Sequence, residues 1–170
     1  MGQPYLTLGL LSEPSLKACA AEMARVLSRQ ESAPLLIGLE GELGSGKTTW
    51  VRAMLRGAGF EGQVPSPTYA LVEPYHLDEL TIAHLDLYRL TCREDLDNLG
   101  IRDWFSQDRT WLLIEWPDRV PALKIRCDVL IQLKFVESSG RFVSLAGQTR
   151  RGRAIVKTLL DPKKNSSINL

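Results

Sequence analysis

Cysteine is scarce in this chain: Cys19, Cys92 and Cys127 are the only three in 170 residues. Their odd number and wide spacing leave no disulfide framework, and there is no Cys-x-x-Cys, so the thiols are expected to be the reduced residues of a cytoplasmic protein. An excess of charge of either sign is also missing. Lys and Arg number 21 against 20 Asp and Glu, a formal net of +1, which excludes a global field that would draw the whole protein onto nucleic acid or anionic lipid. No apolar run approaches the roughly 18 residues of a membrane span, and no membrane partner is expected. Met1-Gly2-Gln3-Pro4-Tyr5 has neither a basic nor a long apolar stretch, so no secretory signal is expected. The two histidines, His76 and His84, lack metal-ligand spacing.

What is present is the composition of an ordinary folded domain. Hydrophobic residues make up 44% of the chain and charged residues 24%, values that exclude wholesale disorder, a collagen-like repeat and a coiled coil. A length of 170 residues suits one domain, and such a chain buries about two-thirds of its unfolded surface without staples. Ser12-Glu13-Pro14-Ser15 reads as a helix start, with a serine cap and a proline in the first turn. Leu16, Cys19, Ala20, Met23, Val26 and Leu27 follow at the spacing of one apolar helix face. After a polar break over residues 30–34, Leu35-Leu36-Ile37-Gly38-Leu39 predicts a buried strand.

A helix is predicted from about 47 to 56, closed by Gly57 and Gly59. Residues 64–67 carry two prolines and form a loop, with a short strand over 68–72 and another over 81–88. Residues 93–99 read as a helical piece ended by Gly100, and residues 111–114 as a second buried strand. Residues 128–136 and 141–146 alternate apolar and polar, which predicts an antiparallel hairpin turned at Ser138-Ser139-Gly140. The expected fold is therefore α/β, with a mainly parallel central sheet flanked by helices and antiparallel strands added late in the chain.

The strongest motif is Gly41-Glu42-Leu43-Gly44-Ser45-Gly46-Lys47-Thr48, a full match to G-x-x-x-x-G-K-[ST] between a strand and a helix. Its residue types follow from what a triphosphate demands. Glycines let consecutive N–H groups turn inward as a nest, and the next helix presents its unpaired N–H groups and positive dipole end. Lys47 supplies a point charge for the β and γ oxygens, and the Thr48 hydroxyl is a hard oxygen suited to Mg²⁺. Gly44, Ser45, Gly46, Lys47 and Thr48 are thus the expected phosphate-binding residues of a P-loop NTPase.

Hydrolysis needs an acid as well, to hold Mg²⁺ or order a water. Asp86 on the strand over 81–88 and Glu115 at the end of the 111–114 strand are the two candidates; the end of a strand is where an open α/β sheet places its ligand. With Lys47 they form the expected catalytic set, and with Thr48 the expected metal ligands. Val64-Pro65-Ser66-Pro67-Thr68-Tyr69 lies where a γ-phosphate-sensing switch can sit. His84 is two residues from Asp86 and shares its strand face, as a packing or supporting histidine rather than a base. No N-K-x-D motif is present, and Asp97-Asn98-Leu99-Gly100 follows polar helix-like sequence rather than a strand, so ATP is preferred to GTP. Three classes remain open on the residues alone: an ATPase, a small-molecule kinase with Arg150, Arg151 and Arg153 as a lid, and a binding module switched by ATP with little turnover.

The P-loop continued by Thr49, then Ser66-Pro67-Thr68-Tyr69, His84-Leu85-Asp86-Leu87-Tyr88-Arg89-Leu90 and Glu115-Trp116-Pro117, in that order, resemble the bacterial TsaE (YjeE) family over roughly residues 6–146. These are ATPases of the tRNA threonylcarbamoyladenosine (t6A) pathway. The resemblance implies Mg²⁺-dependent ATP hydrolysis, weak alone and stimulated by partners. The partners are TsaD and TsaB, which transfer the threonylcarbamoyl group to adenosine in tRNA, and the hydrolysis resets that complex. It also implies residue roles. Residues 44–49 cradle phosphates, with Thr49 beside the site. Asp86 is the Walker B-like acid, and Glu115 holds Mg²⁺ or orders water. Trp116 supports the site and Thr68 belongs to the switch loop. Ser12 and Ser15, in the N-terminal segment, would border adenine, and Arg141 would reach the nucleotide from the late hairpin.

Charge divides the chain unevenly. Residues 149–170 hold six basic residues and one acid, a net of +5, against −4 for the remainder. The expected organisation is an ATPase domain over 1–148 and a basic C-terminal segment over 149–170 with a flexible end, through which tRNA could be met.

Overall fold

The computed structural model describes residues 5–29, 34–90, 100–136 and 140–159. Its order is β1 (Tyr5–Leu11), α1 (Glu13–Ser28), β2 (Leu35–Glu40), α2 (Lys47–Ala58), β3 (Val72–His76), β4 (Thr81–Asp86), α3 (Ile101–Trp104), β5 (Thr110–Glu115), a 3₁₀ turn (Pro117–Arg119), α4 (Pro121–Lys124), β6 (Val129–Val136), β7 (Gly140–Gly147) and α5 (Arg150–Leu159). The strands form one seven-stranded sheet in the order β1-β7-β6-β2-β5-β4-β3. β6, β2, β5 and β4 run parallel at its centre. The antiparallel strands lie at both edges: β7 and β1 on one side, β3 on the other. The expected α/β fold is thus observed, except that the antiparallel part includes the first strand and β3 as well as the late hairpin.

Strand alternation splits the core in two. Leu35, Ile37, Leu39, Trp111 and Leu113 face a cluster shared with α1, α2 and α5. Leu36, Ala83, Leu85, Leu112 and Ile114 face a smaller cluster on the other side with Leu123 and Cys127. Burial on both faces is why β2 and β5 read as continuous apolar runs. It also pushes the Cys127 thiol up to about 12, which keeps it protonated and unreactive at neutral pH.

Helix α1 starts where the sequence places it: Ser12 is the N-cap and its Oγ accepts from Ser15 N at 3.3 Å. Helix α2 runs past Gly57, contrary to expectation. A Cβ at Gly57 would overlap the Ala21 backbone of α1, so this glycine is the contact point of the helix pair, and Gly59 alone, at φ 103°, ends the helix. The short strand expected over 68–72 is a turn instead. Leu71 N closes it on Pro67 O at 2.7 Å, Leu71 has φ 64°, and β3 begins at Val72. The helical piece over 93–99, the hairpin turn at Ser138-Ser139 and the end of the chain past residue 159 lie outside the described residues.

The charge boundary at 148/149 is not a packing boundary. Ile155, Val156 and Leu159 of α5 belong to the main core, and Gly152 lies so close to Asp128 that a Cβ there would overlap its carbonyl. Asp128 ties the junction: its carboxylate accepts from Leu36 N at 3.2 Å and from Thr149 Oγ1 at 2.6 Å, and Thr149 Oγ1 in turn accepts from Gly152 N.

Candidate nucleotide-binding site

The P-loop leaves β2 at Glu40 and enters α2 at Lys47. Gly41, at φ 145°, passes so close to Leu133 O and the Ser45 side chain that a Cβ would have no room. Gly46, at φ 107°, is the N-cap of α2; no side chain caps this helix and no acid lies in its first turn. The dipole end is therefore left to an outside anion. Lys47 is buried, and its Nζ donates to Gly41 O at 2.7 Å, Glu42 O at 2.8 Å and Ser45 Oγ at 3.4 Å. It also sits 3.8 Å from the centre of the Trp116 ring. Burial lowers its pKa, while the carboxylates of Glu115, Asp86 and Asp118 pull it back up.

The two acids end neighbouring strands, and the β4–β5 register sets Asp86 opposite Glu115. Thr48 Oγ1 donates to Glu115 Oε1 at 2.7 Å, and His84 Nε2 lies 2.8 Å from the same oxygen. Asp86 is held differently: Oδ2 accepts from Thr68 Oγ1 at 3.1 Å and Oδ1 from Tyr88 N at 3.0 Å. The acid paired with the P-loop threonine is thus Glu115, on the strand beside β2, while Asp86 stands one strand further out and grips the Ser66–Thr68 loop. The resemblance implies that Asp86 is the Walker B-like acid; in this structure the Thr48 hydroxyl is received by Glu115.

Gly44, Gly46, Lys47, Thr48, Thr49, Thr68, Asp86, Glu115, Trp116 and Arg141 line one cavity of about 280 Å³. Ser45 lies behind it, fully buried against Lys47. Arg141 reaches it from β7, and its Nε comes close to Gly46. Ser12 and Ser15 do not line it; their hydroxyls bond each other at 3.0 Å on the first turn of α1. A wider groove of about 690 Å³ starts at Thr49 and runs between α1 and α2 past Lys17 and Arg52.

Four further residues line the cavity, Leu43, Ser66, Tyr88 and Arg89; the sequence placed them inside motifs without singling any out as a site residue. Tyr88 and Arg89 lie two and three residues past Asp86, the candidate acid that ends β4, which was the available signal. Trp116, at φ 59°, stacks against Tyr88 with ring centres 5.0 Å apart.

These residues fit ATP with Mg²⁺. The cradle is built for an anion, and the acceptors beside it are all hard oxygens. No group of three or more His, Cys, Asp or Glu that could hold a metal exists among the described residues.

The family model for "Threonylcarbamoyl adenosine biosynthesis protein TsaE" matches residues 10–143. The chain belongs to the TsaE family. Among named TsaE proteins it is similar to that of Haemophilus influenzae, 41% identical over 122 residues that cover 72% of this chain and 76% of that one. The TsaE of Aquifex aeolicus is 30% identical over 138 residues, 80% and 92% of the two chains. The crystal structure of Bacillus subtilis YdiB matches with a TM-score of 0.74 at 21% identity, over 94% of this chain and 97% of that one. The fold is that of a P-loop NTPase. The TsaE match spans the P-loop, the Asp86 strand, Glu115 and the beginning of β7, and stops before α5.

Proposed function

We propose that this chain is the ATP-binding and ATP-hydrolysing component of the t6A modification machinery in the cytoplasm, acting with TsaB and TsaD and meeting tRNA through that complex. The observation that carries the hydrolytic reading is the bond from Thr48 to Glu115 at the foot of a P-loop cavity. It joins the phosphate cradle to an acid on the neighbouring strand. Lys47 and the open N-terminus of α2 bind the phosphates, and the groove beyond Thr49 takes the nucleoside end. Mg²⁺, when bound, neutralises phosphate charge; Thr48, Glu115 and Asp86 are the residues to hold it. Glu115 orders the attacking water, Trp116 shields Lys47 from solvent, and Thr68 couples the 66–68 loop to Asp86.

Family membership and the small cavity favour a partner-driven ATPase over a kinase with its own acceptor site. Phosphate release measured with and without TsaB, TsaD and tRNA tests this. Slow release alone and marked stimulation by the pair are expected. A phosphorylated small molecule in place of free phosphate would make the chain a kinase. Tight ATP binding with no phosphate released, even with the partners, would make it a switch module.

A further inference from the structure

The mechanism above leaves His84 unused. It lies on β4, fully buried, opposite Leu113 in the parallel register and two residues before Asp86. It does not line the nucleotide cavity, so it has no path to a reacting atom. Its Nε2 lies 2.8 Å from Glu115 Oε1, and its Nδ1 has no hydrogen-bond partner.

The hydrogen bond fixes which ring nitrogen faces the carboxylate. A carboxylate oxygen only accepts, so the proton of the pair sits on His84 Nε2. His84 therefore donates to Oε1, the same oxygen that receives the Thr48 proton at 2.7 Å. Two donors converge on Oε1, and neither reaches Oε2.

We propose that His84 is the positioning residue of Glu115: with Thr48 it commits Oε1 to the protein, so that Oε2 is the oxygen turned to the nucleotide's Mg²⁺ or to the attacking water. The inference rests on the ATPase reading and adds a residue to it. Without the Nε2 donor, Glu115 keeps one anchor and rotates about it. The cost then falls on the Mg²⁺-dependent part of ATP binding and on turnover, not on the phosphate cradle.

The test uses the full chain with TsaB and TsaD. His84→Leu keeps bulk and removes the donor, while His84→Gln keeps an N–H donor. ATP affinity is read by calorimetry with Mg²⁺ and with EDTA, beside steady-state turnover. For His84→Leu, kcat is expected to fall about 10-fold or more, as for a lost buried hydrogen bond to a charged group. Affinity in EDTA should stay within about 3-fold, the gain that Mg²⁺ gives should shrink, and His84→Gln should recover most of both losses. In a Glu115→Ala background, His84→Leu should add nothing, since positioning acts only through Glu115.

Equal loss in the Mg²⁺ and EDTA arms, loss that persists in the Glu115→Ala background, or His84→Gln as impaired as His84→Leu would make His84 a packing residue and overturn the proposal. If the variants do not fold, the imidazole nitrogen resonances of the unmodified protein decide: a proton on Nε2 is expected, and an Nε2 without one overturns the proposal. Failure of the ATPase reading is distinguishable, because it shows as absent phosphate release in the unmodified protein with partners, whereas the affinity arms and the Nε2 proton report on His84 regardless of turnover.

Discussion

The two halves of the sheet are built on different terms. β2, β5 and β4 are covered on both faces and are buried almost end to end. Three of their buried polar groups, Asp86, Glu115 and His84, sit at or near the carboxyl ends beside the P-loop, while Thr110 opens β5. The other half, β6 with the antiparallel β7 and β1, mixes buried with exposed residues and leaves part of one face open, where Phe142 is 40% and Tyr5 54% exposed. It gives the cavity a single side chain, Arg141. The difference teaches that the first half carries the chemistry because buried strands can end in polar groups only where those groups satisfy one another, while the other half closes the core with α5.

That division can be broken in four places. The largest effect is expected from ending the chain at Gly147, which removes α5. Ile155, Val156 and Leu159 are buried in the main core. At about 1.5–3 kcal/mol each their loss rivals the roughly 5–15 kcal/mol that holds a domain together. The shortened chain should show no cooperative thermal unfolding by circular dichroism. A melt within a few degrees of the full chain would make α5 an appendage.

Next comes Lys47→Ala, which removes the only buried cation of the cavity. ATP affinity by calorimetry should drop on the order of 100-fold, the scale of a charge-assisted ligand at about 1.5–3 kcal/mol. A drop below threefold would move the phosphate site elsewhere. Asp128→Ala strips the bonds to Leu36 N and Thr149 Oγ1 that join β2 to the start of α5. Denaturant unfolding should lose about 2–3 kcal/mol, with ATP affinity in the folded protein unchanged, because the junction lies at the far end of β2 from the P-loop. The smallest effect belongs to Phe142→Ser on the open face: stability should stay within about 0.5 kcal/mol, and a larger loss would show that this face packs against something.

Much of the site was legible because its signals are local. The P-loop spacing, the acids closing β4 and β5, and the serine cap of α1 each depend on residues a few positions apart. The turn at residues 68–70 was misread as strand because Thr68-Tyr69 has strand propensity, while the Pro67–Leu71 closure and the left-handed Leu71 are set by Asp86 gripping Thr68 from another strand. Gly57 was misread as a stop because a glycine looks the same whether it ends a helix or admits Ala21 from a neighbour. The basic tail looked like a separate segment because a count of charges ignores the apolar face at residues 155, 156 and 159.

The sequence by itself determined the P-loop between β2 and α2 and the uncapped helix end that follows it, since the glycines, lysine and threonine of the loop act through their own backbone and their own helix end. Which acid answers the P-loop threonine was a tertiary decision. Asp86 and Glu115 are equivalent by composition and position on their strands. Only the sheet order, with β5 and not β4 beside β2, brings Glu115 within 2.7 Å of Thr48 and leaves Asp86 to the 66–68 loop. A hydrogen bond depends on fractions of an ångström between segments 67 residues apart, and strand order, not spacing along the chain, sets that distance.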